Sequence, residues 1–245
     1  EKSVTSMMLK EAISAAECVA LQLDSDTERY AELGRKLRST SFSTALTIAR
    51  GSSDHACAYA AYLIMARLGR VVASLPMSLV TLNKSPLVTR DTLAISISQS
   101  GQSPDVVEPI RYFRDGGATT VALVNDIESP LAHAAEWAMP LRAGKEQSVA
   151  ATKSFIASLV AGARLVAATR TSANYQLYAL AGTVPPKPGL ARVAEDGAEI
   201  IVELWDVPQA RFGEFVAEIP PPLGIGNLQL ADGRWIKGFI CEPYA

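Results

Sequence analysis

The run Ile95-Ser96-Ile97-Ser98-Gln99-Ser100-Gly101-Gln102-Ser103-Pro104-Asp105 decides how this chain is read. An apolar strand passes straight into a hydroxyl-rich turn, and the turn opens a helix with Ser103 as N-cap, Pro104 at the first helical position and Asp105 in the first turn. A helix start carries unpaired N–H groups and the positive end of the helix dipole, so an anion placed there gains hydrogen bonds and favourable electrostatics together. Capping accounts for Ser103 but for neither Ser98 nor Ser100. A nucleotide-type P-loop would need Gly-x4-Gly-Lys-Ser/Thr, and no such run is present. The expected ligand is a small phosphate ester.

The same plan occurs earlier. Thr44–Ala49 reads as a buried strand, Arg50-Gly51-Ser52-Ser53-Asp54-His55 as a hydroxyl turn, and an Ala-rich helix follows to about Leu68. Further on, Ala143-Gly144-Lys145-Glu146-Gln147-Ser148-Val149-Ala150-Ala151-Thr152-Lys153 leads from a short strand into another apolar helix. These three motifs, in this order and spacing, resemble the sugar isomerase (SIS) domain of glucosamine-6-phosphate synthase, glucosamine-6-phosphate deaminases and related phosphosugar isomerases, over roughly residues 1–162. The resemblance implies contacts to phosphate and sugar from Gly51, Ser52, Ser53, Ser98, Gln99, Ser100 and Ser103, with Val149, Ala150 and Lys153 near the sugar. It implies neither a cofactor nor a metal.

Helices are expected near Ser6–Gln22 and Asp26–Leu37, then strands near Thr44–Ala49, Val71–Leu75, Thr92–Ser98, Thr119–Val124 and Trp137–Leu141 with helical patterns between them. Alternation of this kind builds a parallel sheet covered on both faces, an α/β sandwich of SIS-like, flavodoxin-like type. Ligands of such sheets bind beyond the carboxyl ends of the strands, where the Ser53 and Ser98–Ser103 turns should meet. Tyr59, Tyr62, Leu63 and Met65 lie at helical spacing and are expected in the core.

After the helix expected from Val149 the grammar changes. Prolines concentrate at Thr183-Val184-Pro185-Pro186-Lys187-Pro188-Gly189 and Pro220-Pro221-Pro222, so helices there must be short. Tyr175–Leu180 and Ile200–Trp205 read as strands, and Leu228–Ile236 as an Asp-Gly hairpin. One amphipathic helix is expected over Gln209–Ile219, with Phe212, Phe215, Val216 and Ile219 on one face. Through Tyr175–Leu180, Gly182–Leu190, Pro222-Leu223-Gly224-Ile225-Gly226 and Lys237–Glu242 this part resembles the carboxyl-terminal domain of allophanate hydrolase, a small β-rich fold related to γ-glutamylcyclotransferase-like proteins. That family would also bring an initial strand and a catalytic histidine, which are not found, so residues 163–245 are expected to be a partial domain following residues 1–162.

Of 245 residues, 49% are apolar and 20% charged, enough for a sizeable core. A formal net charge of −2 argues against a general nucleic-acid or membrane surface. No segment reaches the roughly eighteen uninterrupted apolar residues that span a bilayer, so a cytoplasmic location is expected. Cys18, Cys57 and Cys241 are far apart and read as reduced thiols.

The reaction implied by the resemblance, interconversion of aldose and ketose phosphates or deamination of an amino-sugar phosphate, needs a base near neutral pKa. Glu146 is the carboxylate inside a matched motif and reads either as that base or as a dipole-stabilised group at a helix start. Histidine is the side chain that ordinarily changes charge near neutral pH, so His55 reads as either chemical or structural, and His133 as a surface residue. Lys153, in a first helical turn, faces an unfavourable dipole and reads either as the partner of an anion or as structural. SIS enzymes work as paired copies, so one visible copy with an Ala-rich surface near Ala56–Ala66 predicts a homodimer in which binding is firmer than turnover. A sugar-phosphate sensor without catalysis and a urea-degradation module are the alternatives.

Overall fold

The computed structural model describes residues 6–148, 150–180 and 187–241. The chain divides into two compact units, Glu1–Val166 and Ala167–Ala245. The first contains α1 (Met7–Ile13), α2 (Ala15–Asp24), α3 (Thr27–Ser39), β1 (Thr44–Ile48), α4 (Ser52–Leu68), β2 (Val72–Ser74), α5 (Ser78–Thr81), β3 (Thr92–Ser98), α6 (Pro104–Asp115), β4 (Thr119–Val124), α7 (Pro130–Ala134), β5 (Trp137–Pro140) and α8 (Lys153–Ala167). Among the described residues no helix is long and apolar enough to cross a membrane.

The five strands form one parallel sheet in the order β2-β1-β3-β4-β5. β3 and β4 are buried along nearly their whole length, as strands covered on both faces must be. The chain leaves β1 through α4 toward one edge and later leaves β3 through α6 toward the other. With right-handed crossovers, that reversal puts α4 and α6 on opposite faces. On the α6 side, Ile48, Val106, Val107, Ile110, Phe113 and Leu131 share one apolar cluster. On the other side α4 and α8 approach closely: a methyl added to Gly162 would stand 3.1 Å from the Ala60 Cβ.

Three expectations need correction. The first helix is broken at Ser14, whose hydroxyl donates to the Glu11 carbonyl at 2.9 Å, a local bond that competes with helix continuation. Tyr59, Tyr62 and Met65 are not core: Tyr62 is 64% exposed. The face of α4 turned to the sheet is instead made of Ala56, Cys57, Ala60, Ala61 and Ile64, with Ala60 at the close approach of Gly162. The alanines expected as an association surface are therefore mostly consumed within the unit.

Arg164 of α8 is fully buried and fixes α2 to α8. Its guanidinium lies 4.3 Å from the Tyr30 ring and donates to the carbonyls of Gln22, Leu23 and Ser25 at the end of α2. A cation at a helix C-terminus meets both the orphan carbonyls and the negative dipole end.

The second unit contains β6 (Ala168–Arg170), β7 (Tyr175–Ala179), β8 (Pro188–Arg192), β9 (Ile201–Glu203), α9 (Phe212–Ala217), β10 (Leu223–Gln229) and β11 (Trp235–Cys241). They make three two-stranded antiparallel sheets, β6-β9, β7-β8 and β10-β11. The expected Asp-Gly hairpin is the β10-β11 pair, with Gln229 opposite Trp235. The expected helix over Gln209–Ile219 shortens to one 3-10 turn followed by α9 and buries none of its residues, although Phe215 meets the Phe239 ring edge-on. Tyr175, Leu190 and Leu228 form the small core, and the Tyr175 hydroxyl accepts from Gln229 N at 2.8 Å.

The β3–α6 turn is held by Gly101. Its φ of +64° suits glycine, its N–H donates to Ser98 Oγ at 3.0 Å, and an added Cβ would stand 2.6 Å from the Ser129 Cβ. Gly51 in the β1–α4 turn has a similar φ of +58° but open space around it. Gly51→Ala is expected to cost about 1–2 kcal/mol from backbone strain, and Gly101→Ala about 1–3 kcal/mol more from overpacking. Urea unfolding midpoints check this, and equal losses at both positions would show that Ser129 yields freely.

Candidate functional site

β1 and β3 are neighbours whose crossovers depart in opposite directions, and sheets of this kind take ligands beyond the carboxyl ends of the strands at such a place. Both hydroxyl-rich turns are there. Thr47 pairs with Ile95 and Ile48 with Ser96, and the Ser96 hydroxyl donates to the Ile48 carbonyl at 2.7 Å, locking the strand ends in register. Just beyond, Arg50 Nη1 stands 2.6 Å from Asp105 Oδ2, so an ion pair ties the β1–α4 turn to the first turn of α6. Both partners are exposed, and its worth is in fixing direction more than in stability.

Gly51 is the N-cap of α4, with Ser52 exposed and Ser53 half-buried beside it. Ser98, Gln99 and Ser103 are half-buried and Ser100 is exposed. The Ser98 hydroxyl accepts from Gly101 N, and Ser100 Oγ accepts from Gln102 N at 3.4 Å, which leaves each O–H proton available to donate. Ser103 holds the N-cap position of α6 as expected, but its side chain makes no capping bond; its carbonyl accepts from Val106 and Val107 instead. All three hydroxyls therefore remain available at the helix start.

The third motif lies over the ends of β4 and β5. Asn125 anchors it, accepting from Ala143 N at 2.9 Å and donating to the Gly144 carbonyl at 2.7 Å. Since Ser98 pairs with Val124, this loop and the Ser98 turn stand on the same sheet edge. Glu146 turns back onto the start of α8: it accepts from Thr152 N at 2.7 Å, Thr152 Oγ1 at 3.1 Å and the Ser154 hydroxyl. Burial pushes its pKa up, but the Ser154 and Thr152 donors outweigh that and hold the carboxyl below its ordinary range. This is the dipole-stabilised arrangement. Lys153 begins α8 and is half-buried, and Ala150 is exposed. Val149 lies outside the described residues.

His55 stands exposed in the first turn of α4, and His133 is exposed with Nε2 3.9 Å from Glu128. Burial pushes the Cys57 thiol up to about 12, so it is not a nucleophile. Sequence reasoning missed Arg50, Asn125 and Glu11. Glu11 of α1 is buried and accepts from Gln147 N at 2.6 Å, Ser148 N at 3.1 Å and the Ser148 hydroxyl. Its signal was available: a carboxylate in the same helical row as Ala15, Cys18 and Gln22.

Comparison with known proteins fits this geometry. The SIS domain model matches residues 40–168, more than half of the chain. The chain belongs to the SIS domain family. Its SIS part superposes on a protein from Silicibacter pomeroyi assigned as a phosphosugar isomerase with a TM-score of 0.64 at 40% identity, covering 66% of this chain and 50% of that one. The glutamine–fructose-6-phosphate aminotransferase (isomerizing) of Sulfolobus acidocaldarius is 36% identical over 124 residues, 47% of this chain and 19% of that protein. A second model, the allophanate hydrolase C-terminal domain, matches residues 154–245, overlapping the SIS match through α8. There the urea amidolyase of Lachancea kluyveri is 52% identical over 77 residues, 31% of this chain and 4% of that protein. The chain thus spans half or less of each of these relatives.

Glu146 makes a pH prediction. A carboxyl held below its ordinary value of 4.5 stabilises the fold wherever it is ionised in both states, and that contribution fades as pH falls below about 4.5 toward the folded-state pKa. Wild type should exceed Glu146→Gln in stability at pH 7, with the gap closing in acid. Thermal unfolding between pH 7 and pH 3 measures the gap, and a gap independent of pH would show that the charge is not what the donors hold.

Proposed function

We propose that the SIS domain binds a sugar phosphate, with the phosphate at the start of α6 against Ser98, Ser100 and Ser103 and with Gly51, Ser52 and Ser53 beside it. The sugar extends past Gln99 toward the loop carrying Ala150 and Lys153. One observation carries this reading: the strand order reverses between β1 and β3, and at that place two hydroxyl-rich helix starts are tied together by Arg50 and Asp105. Phosphosugar chemistry in the names of SIS relatives supports the choice of ligand. The reading is of binding rather than turnover, since Glu146 has its lone pairs engaged by Thr152 and Ser154 and is not tuned toward neutral pH. Three free cysteines favour a reducing compartment such as cytoplasm.

A homodimer belongs to the same proposal. Met7, Met8, Leu9, Ile13 and Leu21 on α1 and α2, and Tyr59, Tyr62 and Met65 on α4, are exposed apolar side chains of the kind a second copy covers. A second reading rests on the Lachancea kluyveri similarity, which favours a role for the second unit in urea degradation; allophanate hydrolysis by the chain would support it.

Calorimetry with fructose 6-phosphate tests the site. Ser98→Ala combined with Ser100→Ala should weaken binding by about 1 kcal/mol per lost donor, more where a charged oxygen is left unpaired. Unchanged affinity would sink the assignment. Light scattering should give a dimer mass that Tyr62→Glu reduces, and a monomer at high micromolar concentration would remove the dimer claim.

A further inference from the structure

Helices α1 and α2 are built inside out. Their buried side chains are Glu11, Ala15 and Gln22, while Met7, Met8, Leu9, Ile13 and Leu21 are exposed. Glu11, Ala15, Cys18 and Gln22 follow one another at intervals of four, three and four, a single helical row that carries across the Ser14 break. Burying a carboxylate and an amide is unfavourable unless their polar atoms are met. Here the Glu11 carboxylate and the Gln22 amide nitrogen are met by the segment leading from β5 into α8 and by α8 itself, while Gln22 Oε1 has no hydrogen-bond partner among the described residues. Gln22 Nε2 donates to the Leu141 carbonyl at 2.9 Å and the Ala157 carbonyl at 3.1 Å, Cys18 Sγ donates to the Ala143 carbonyl at 3.4 Å, and Glu11 accepts from Gln147 and Ser148.

We propose that Glu11, which lies before the matched SIS residues, is a positioning residue for sugar recognition: its carboxylate fixes Gln147 and Ser148 and with them the loop that carries Ala150 and Lys153 toward the sugar. The proposal rests on the sugar-phosphate reading and adds a residue to it. The geometry makes the effect separable from phosphate binding. The segment is clamped at one end by Glu11 on Gln147 and Ser148, and at the other by Glu146 on Thr152 and Ser154. The phosphate turns have their own supports, the Arg50–Asp105 pair and the packing of Gly101 on Ser129. The Ser148 hydroxyl first, then the Gln147 N–H and the charge of Lys153, hold the Glu11 carboxyl below its ordinary range, so it is ionised at neutral pH. An uncharged glutamine offers one acceptor and sets an N–H₂ against donors.

The test is calorimetric titration of wild type, Glu11→Gln and Glu11→Ala with inorganic phosphate and with fructose 6-phosphate. We expect fructose 6-phosphate affinity to fall about tenfold in Glu11→Gln and further in Glu11→Ala, with inorganic phosphate affinity within about twofold of wild type, since charge-assisted hydrogen bonds are lost only at the sugar end. Unchanged fructose 6-phosphate affinity overturns the proposal, and so does an equal loss for both ligands, which would mark Glu11 as supporting the fold alone. Should Glu11→Ala not fold, Glu11→Gln, which keeps the side-chain volume, decides. Failure of both to fold, read by circular dichroism, assigns Glu11 to stability and overturns the proposal as well. Absence of fructose 6-phosphate binding in wild type overturns the underlying reading, and is seen before any variant is made.

Discussion

Parallel pairing of β1 with β3, from Thr44 opposite Thr92 to Ile48 opposite Ser96, is the constraint on which the first unit depends. It sets two strands that are far apart in sequence side by side, with their carboxyl ends level. It also forces the crossovers of β1 and β3 to opposite faces, so neither α4 nor α6 covers the space beyond the strand ends. The helix starts that border this space carry Gly51-Ser52-Ser53 and Ser98–Ser103. Neutral hydroxyls and unpaired N–H groups therefore gather at one place without any cationic side chain needing to be buried, which avoids the desolvation cost of a buried charge.

Backbone donors on the neighbouring loop are used differently. The N–H groups of Gln147, Ser148, Thr152 and Ser154 are met by the protein's own carboxylates, Glu11 and Glu146. Glu146 meets the start of α8, where the dipole and hydrogen bonding together favour an ionised carboxylate, and Glu11 is held by the Ser148 hydroxyl and the Gln147 N–H, so both carboxyls lie below their ordinary range. A carboxylate so engaged is a poor base. The same contacts that hold the loop withdraw Glu146 from proton transfer, and structural and chemical roles compete for one side chain.

Much of the first unit was legible because its signals are local. Apolar runs such as Ile95–Ser98 mark buried strands, and Ser103-Pro104-Asp105 marks a helix start. The order of elements then implies a parallel sheet. Side-chain placement on α4 was not legible, since Tyr59, Tyr62 and Met65 have core spacing yet stand exposed. The periodicity of one helix does not say which of its apolar faces the sheet covers, and here it is the face of Ala56, Cys57, Ala60 and Ile64. The row that Glu11 shares with Ala15, Cys18 and Gln22 was visible, but its partners lie 136 and 137 residues away, beyond the reach of any local pattern. In the second unit short strands at Tyr175–Ala179 and Leu223–Gln229 gave clear β signals, but the helix near Gln209 kept little of its amphipathic promise: Phe215 meets Phe239, yet among the described residues none of its side chains is buried.

The central claim is that a phosphorylated sugar sits where the β1–α4 and β3–α6 turns meet. Backbone amide resonances followed during titration with fructose 6-phosphate test it most directly. Ser52, Ser53 and Asp54 in one turn, and Gln99, Ser100, Gly101 and Gln102 in the other, should shift together along one binding curve. Shifts absent from both turns, or gathered elsewhere on the chain, would contradict it.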